Sequence, residues 1–217
     1  MMPTDPVSQI VFLVDDDANI RASLSRALEL RGYEVRAFAS AMAFLEAYDK
    51  TLSGCLLLDY GMPEMDGLQL QKHLKEAGIG VPIIFITGHG GIPESVQAMK
   101  MGAVDFLEKP FKQSVLVEQI EAAFKTDAAR RAVLQQNSGA QARFSALTDR
   151  EREIALIMSN DPGRNSSKEI ARQLGISPRT VDHHRARILE KMEVSSVAEL
   201  VETTLKAGLS KDTPPLD

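Results

Sequence analysis

Over the first 125 residues, short apolar runs alternate with stretches whose apolar positions recur every three or four residues. The runs are Ile10–Val14, Glu34–Phe38, Cys55–Leu58, Pro82–Ile86 and Val104–Leu107, each the length of a buried strand. Between them, Ile20, Leu24, Ala27 and Leu28 share one helix face that Gly32 ends, and Ser40 can cap a helix through Phe44 and Leu45. Leu68, Leu70 and Leu74 mark a third helix up to Gly78. Val96 and Met99 mark a fourth up to Gly102, and Val115, Leu116, Ile120 and Phe124 a fifth. Strands alternating with helices in this way predict an α/β doubly wound, five-stranded parallel sheet with right-handed crossovers.

Residues 126–145 lose this rhythm. Ala, Gln and Arg there could extend the fifth helix, but Asn137-Ser138-Gly139 is expected to break it, so the segment reads as a linker. The remainder reads as helices alone. Leu147-Thr148-x-x-Glu151 is a capping box with a hydrophobic residue before the cap, and Ile154, Ile157 and Met158 form the stripe behind it. After a loop with Pro162 and Gly163, Ser167 can cap a short helix, Lys168–Leu174, that Gly175 ends. Ser177 then caps a longer helix with Pro178 at its first position, and Ser196-x-x-Glu199 opens a last one. The organisation expected is 1–125, a linker over 126–145, and a helical domain over 146–210.

Composition narrows the class. At 217 residues the chain has room for one large or two small domains, and 44% hydrophobic with 25% charged residues excludes a disordered or collagen-like chain. No apolar run reaches the roughly 18 residues of a membrane helix, and the polar start is not a secretory signal. The one cysteine, Cys55, lies in an apolar run, which excludes a disulfide framework and suits a cytoplasmic protein. The net charge of −5 is unevenly spread: residues 1–125 hold 11 Lys/Arg against 17 Asp/Glu, whereas 126–217 hold 14 against 13. Between Arg164 and Lys191 seven basic residues face three acidic ones. Two domains with different partners follow, the second locally basic.

Chemistry gathers at the ends of the apolar runs. Asp15-Asp16-Asp17 follow the first, Asp59 the third, Thr87 the fourth, and Lys109 stands two residues past the fifth. In a parallel sheet all strand C-termini open on one edge, so Asp16, Asp59, Thr87 and Lys109 should converge there. Clustered carboxylates need a cation, and hard oxygen ligands without His or Cys select Mg²⁺. With an ammonium and a hydroxyl added, the set describes a pocket for one phosphoryl group on a carboxylate. Gly88-His89-Gly90-Gly91 lacks the phosphate-loop pattern and reads as a turn.

The first 125 residues resemble the flavodoxin-like receiver domain of two-component response regulators, through VDDD (14–17), LLLDYGMPEMDGL (56–68), ITGHG (86–90) and EKPF (108–111). The resemblance implies that Asp59 accepts a phosphoryl group from the phosphohistidine of a sensor histidine kinase. It implies that Asp15, Asp16 and Asp59 hold Mg²⁺ with the backbone carbonyl of Gly61, and that Thr87 and Lys109 contact phosphoryl oxygens. Phe106 matches the aromatic switch position, often Tyr, and Lys109-Pro110 would be cis. Asp17 is the alternative to Asp16.

In the second half, two short helices joined by Gly175-Ile176-Ser177-Pro178 resemble a helix-turn-helix, whose second helix meets base edges in the major groove. On that helix Val181, Ile188 and Met192 are spaced to face the core, leaving Arg179, His183, Ala186 and Arg187 on another face. LTDRERE (147–153), KEIARQLGIS (168–177), TVDHHRARILEKM (180–192) and AELV (198–201) resemble the LuxR/FixJ-type DNA-binding domain. Arg179, Thr180, His183 and Arg187 are the expected DNA contacts, with Lys168 and Lys191 on phosphates. Two departures stand out: a loop through Asp161–Asn165 longer than the usual pattern, and the acidic Asp182 on the recognition helix. The whole resembles a phosphorylation-controlled transcription regulator, not an enzyme, with a kinase, promoter DNA and RNA polymerase as expected partners and a homodimer formed on phosphorylation. Two other classes compete. Asp15-x-Asp17 resembles the opening of aspartyl-nucleophile phosphatases, although Asn19 departs from them. A sigma-factor-like module is the third reading.

Overall fold

The computed structural model describes residues 9–88, 92–160 and 166–209. Two compact units make up the chain, Met1–Arg130 and Arg131–Asp217. The first contains the strands β1 (Gln9–Val14), β2 (Glu34–Phe38), β3 (Ser53–Asp59), β4 (Ile83–Thr87) and β5 (Asp105–Glu108). They form one parallel sheet in the order β2-β1-β3-β4-β5. Helices α1 (Ala18–Glu29), α2 (Ala41–Ala47), α3 (Gly67–Glu76) and α4 (Ile92–Lys100) connect successive strands, and α5 (Gln113–Ser145) follows β5. The doubly wound α/β sheet is the fold that the alternating pattern predicts.

Period-two side-chain geometry divides the central strands between two cores. Ile10, Phe12, Val14, Leu56, Leu58 and Phe85 pack with Ala41, Phe44, Leu70, Leu74 and Ala98 from α2, α3 and α4. Val11, Leu13, Cys55, Leu57, Ile84 and Ile86 pack with Leu28, Leu116, Ile120 and Phe124 from α1 and α5. Every residue of β1 after Gln9, and all of β3 and β4, is buried, which is why these strands read as continuous apolar runs. The edge strand β2 is half-exposed. This central burial fixes where each strand ends, and so places Asp59 and Thr87 on one edge.

The second unit is helical: α6 (Asp149–Asn160), α7 (Ser167–Leu174), α8 (Pro178–Met192) and α9 (Val197–Lys206). Its core joins Phe144, Leu147, Ile154, Met158, Ile170, Val181, Ile188, Met192 and Leu200. Gly175 ends α7 at φ 65, a left-handed position that a glycine reaches without a Cβ penalty. The cap of α7 is Ser166, one residue before the serine expected: its side chain accepts from Glu169 N–H, while the Ser167 hydroxyl is committed to Asp182.

The expected break at Asn137-Ser138-Gly139 is absent. Helix α5 runs unbroken from Gln113 to Ser145, so the segment read as a linker is helical. Packing overrides the weak local propensity. Ala140 and Phe144, just past the glycine, are buried in the second unit, and the Ser138 hydroxyl folds back on Gln135 O at 3.0 Å rather than competing for a turn. Around the boundary a buried carboxylate fastens α5: Asp127 accepts from Ser53 Oγ at 2.8 Å, Gly54 N–H at 3.1 Å and Arg130 Nη2 at 2.6 Å. The loop through Asp161–Asn165 and the turn residues His89, Gly90 and Gly91 lie outside the described residues.

A glycine inside a helix costs about 0.5–1 kcal/mol relative to alanine. Gly139→Ala is therefore expected to raise the thermal midpoint of the second unit, followed by circular dichroism, with more helical signal. A lower midpoint would mean that the chain turns at this glycine.

Candidate functional site

The C-terminal edge of the sheet gathers the expected residues from four strands. Asp15 follows β1 directly and is 1% exposed, Asp59 is the last residue of β3, Thr87 ends β4, and Lys109 follows β5. The Lys109 ammonium is hydrogen-bonded to Asp15 Oδ2 and to Asp59 Oδ1, each at 2.9 Å. The second oxygen of each carboxylate is also occupied: Asp15 Oδ1 accepts from Asp17 N–H at 2.9 Å, and Asp59 Oδ2 from Gly61 N–H at 2.8 Å. The Lys109 N–H donates to Thr87 O at 2.7 Å, which ties β5's exit to β4's end. Lys109-Pro110 is cis. Burial alone would loosen the lysine's proton, but the two carboxylates outweigh it and hold the ammonium above the usual lysine range.

Asp16, next in sequence to Asp15, is exposed. Asp17 is not a pocket residue: it caps α1, accepting from Asn19 N–H at 2.7 Å and Ile20 N–H at 3.2 Å. The cap thus commits Asp17 Oδ1 to the start of α1. Two buried carboxylates sharing one ammonium leave uncompensated negative charge, to which Asp16 adds. Such an all-oxygen cluster suits a divalent cation. Among the described residues no three His, Cys, Asp or Glu side chains form a ready metal site, since Lys109 takes up Asp15 and Asp59 and Asp16 is exposed.

Phe106 is half-buried on β5, in register with Phe85 of β4, and the two rings lie 6.0 Å apart. One pocket residue escaped the sequence reading. Arg21 Nη1 donates to Asp15 O at 2.6 Å, a second cation at the β1 end. Its position one turn into α1 is the only hint the sequence holds.

In the second unit, Val181, Ile188 and Met192 are fully buried. Arg179, Thr180, His183 and Arg187 are exposed on α8, as is Lys168 on α7. The Thr180 hydroxyl is engaged with Ser177 Oγ at 2.7 Å within the cap. His184 is half-buried, and its Nδ1 has no hydrogen-bond partner. The acid on this helix, Asp182, accepts from the Ser167 hydroxyl and so links α8 to the start of α7. Lys191, expected on phosphates, is paired with the buried Glu151 of α6 at 2.6 Å. Glu151 also accepts from Thr148 N–H at 2.9 Å. The carboxylate that the sequence marks as a capping-box partner thus anchors α8 to α6 as well. The bond from Lys191 holds it well below the ordinary range, at about 2, against its own burial.

Residues 11–121 match the response regulator receiver domain family, and residues 145–204 match the bacterial regulatory proteins of the luxR family. The transcriptional regulatory protein FixJ of Bradyrhizobium diazoefficiens is 40% identical over 204 residues, covering 93% of this chain and 97% of FixJ. The response regulator protein TodT of Pseudomonas putida is 39% identical over 197 residues, covering 91% of this chain and 86% of TodT. Among solved structures, the response regulator StyR superposes with a TM-score of 0.78 at 41% identity, covering 92% of this chain and 99% of StyR. Full-length FixJ from B. japonicum gives 0.55 at 38% identity, covering 94% and 99%.

The Glu151–Lys191 pair has a pH signature. A carboxyl depressed from 4.5 unfolded to about 2 folded contributes stability that is complete above pH 4.5 and is lost as pH falls toward 2. Acid unfolding of the second unit should therefore be steep across that window. Lys191→Ala should move its onset to higher pH and lower the midpoint at pH 7. A Lys191→Ala protein that keeps wild-type stability but loses salt dependence in DNA binding would make Lys191 a phosphate contact after all.

Proposed function

Because the chain belongs to the two-component response regulators that join a receiver domain to a LuxR/FixJ-type DNA-binding domain, we propose that Asp59 is the phosphoacceptor and that phosphorylation controls how α8 engages DNA. Proteins of this architecture are phosphorylation-regulated, DNA-binding transcription regulators rather than enzymes. The observation that carries the assignment is the difference between the two carboxylates on Lys109. The Asp15 side chain is 1% exposed, whereas that of Asp59 is 11% exposed, so Asp59 is the one an incoming phosphoryl group can reach.

In this reading an Asp59 oxygen attacks the phosphorus of a sensor histidine kinase's phosphohistidine. The new O–P bond forms as the P–N bond breaks, and the imidazole leaves. Lys109 shifts its donors toward the phosphoryl oxygens, with the Thr87 hydroxyl as a further donor. Asp15, Asp16, Asp59 and the Gly61 carbonyl would hold Mg²⁺, which supplies charge neutralisation for the transferring group. Phe106 and Thr87 carry the change to the surface, favouring a homodimer. Two copies on one duplex gain affinity by effective concentration, which suits a DNA-binding half with little net charge.

Residues 1–125 form the receiver, 146–210 the DNA-binding domain, and the helical 126–145 joins them. Arg179, His183 and Arg187 face base edges, with Thr180 beside them and Lys168 on a phosphate. Promoter DNA and the RNA polymerase acting there are the downstream partners. No helix among the described residues is long and apolar enough to cross a membrane, and a cytoplasmic location fits all three partners.

Intact mass after incubation with acetyl phosphate and Mg²⁺ tests the assignment. Wild type is expected to gain one phosphoryl group, and Asp59→Asn none. Equal labelling of the Asp59→Asn protein would place the acceptor elsewhere.

A further inference from the structure

The first two turns of α8 carry one acid, Asp182, among the residues that face base edges in the proposed complex. Arg179 stands three positions before it and His183 directly after it, and all three are exposed. The Ser167 hydroxyl, at the start of α7, donates to Asp182 Oδ1. Among the described residues nothing bonds to Asp182 Oδ2. One turn further on, the neighbour on the same side of the helix is Ala186, also exposed and carrying only a methyl. The carboxylate is thus held at one oxygen and unpartnered at the other, next to a side chain too short to cover it.

A carboxylate repels phosphates alike in every sequence, so that part of its effect carries no information. What varies is the base edge opposite it. An ionised carboxylate only accepts hydrogen bonds. In the major groove guanine presents two acceptors, N7 and O6, and thymine presents the O4 acceptor and a methyl, so neither can donate. Adenine sets its N6 donor beside the N7 acceptor, which opposes a carboxylate. Cytosine presents its N4 amino group with no acceptor on its own edge. A single unpartnered acceptor oxygen therefore selects cytosine. The Ser167 bond sharpens the choice, because it fixes the rotation of the carboxylate beforehand and lowers the ordering cost of a contact.

Resting on α8 as the helix that meets base edges, we propose that Asp182 determines sequence specificity: its Oδ2 accepts from the N4 amino group of a cytosine in each half-site, and Ser167 is its positioning residue. Helix α8 then reads with charges of both signs. Its arginines favour the acceptor pair of guanine, while Asp182 rejects guanine at its own base pair.

Selection of randomised duplexes by the full-length protein, with acetyl phosphate and Mg²⁺ present, tests the contact, and thermal midpoints are measured beside it. Wild type is expected to enrich a site in which cytosine is preferred about tenfold at one base pair of each half-site. Asp182→Ala should lose that preference, keep the others, and bind random duplex more tightly. Asp182→Asn keeps the shape of the side chain and an acceptor for Ser167, and should turn the preference toward adenine, whose N6 and N7 match an amide. If the alanine protein does not fold, the asparagine protein decides. Ser167→Ala should weaken the cytosine preference without moving it to another base pair. A site enriched by wild type and left unchanged at every position by Asp182→Ala and Asp182→Asn overturns the contact and makes Asp182 a brace alone. In that case α8 still stands as the reading helix if Arg179→Ala and Arg187→Ala lose preferences of their own. Wild type that enriches no sequence overturns the α8 reading and the Asp182 contact together.

Discussion

Asp15 and Asp59 stand at the ends of neighbouring strands of a buried sheet, and the Lys109 ammonium, 2.9 Å from each, lets them stand side by side. Two carboxylates taken out of water would repel and protonate, or force the strand ends apart. The lysine comes from two strands away, beyond β4, so the interaction closes the C-terminal edge of the sheet across β1, β3, β4 and β5. Its backbone N–H on Thr87 O makes the same closure through the main chain. The pocket is consequently both a structural clasp and a reactive site. One cation serves two anions, and a third anionic group arriving at Asp59 must draw on the same cation.

The second unit solves a parallel problem with another lysine. Helix α8 offers arginines on one face and must be held firmly by the other. The apolar stripe of Val181, Ile188 and Met192 does most of this, and Lys191 adds a tie to the buried Glu151. Asp182 belongs to the same bracing through Ser167. Lys191 and Asp182 thus both help to orient the helix.

The strands and the pocket were legible because burial on both faces writes itself as continuous apolar runs, and because strand ends in a parallel sheet share an edge. Asp59, Thr87 and Lys109 could be placed from that rule alone; for the first strand the rule pointed to Asp16, whereas the carboxylate on Lys109 is its neighbour Asp15. The helix through Asn137-Ser138-Gly139 was not legible, since its cause is the burial of Phe144 in a core assembled from distant helices, with Ala140 buried beside it in sequence. The tie from Lys191 to Glu151 was not legible for a similar reason: the two stand 40 residues apart, and Glu151 already had a local explanation as a capping-box acceptor. The Arg21 bond to the Asp15 carbonyl depends on where a side chain meets the backbone across a loop, about which periodicity says nothing.

The dependence of the pocket on one shared ammonium is tested most directly by the stability of Lys109→Met as a function of pH and Mg²⁺. With the ammonium gone, two carboxylates held together by the fold repel each other, and a proton or a divalent cation can relieve that repulsion. The thermal midpoint is then expected to climb as pH falls from 7 toward 5, and Mg²⁺ at pH 7 to recover much of the difference from wild type. A Lys109→Met protein whose midpoint matches wild type at pH 7, and responds to neither protons nor Mg²⁺, would contradict it.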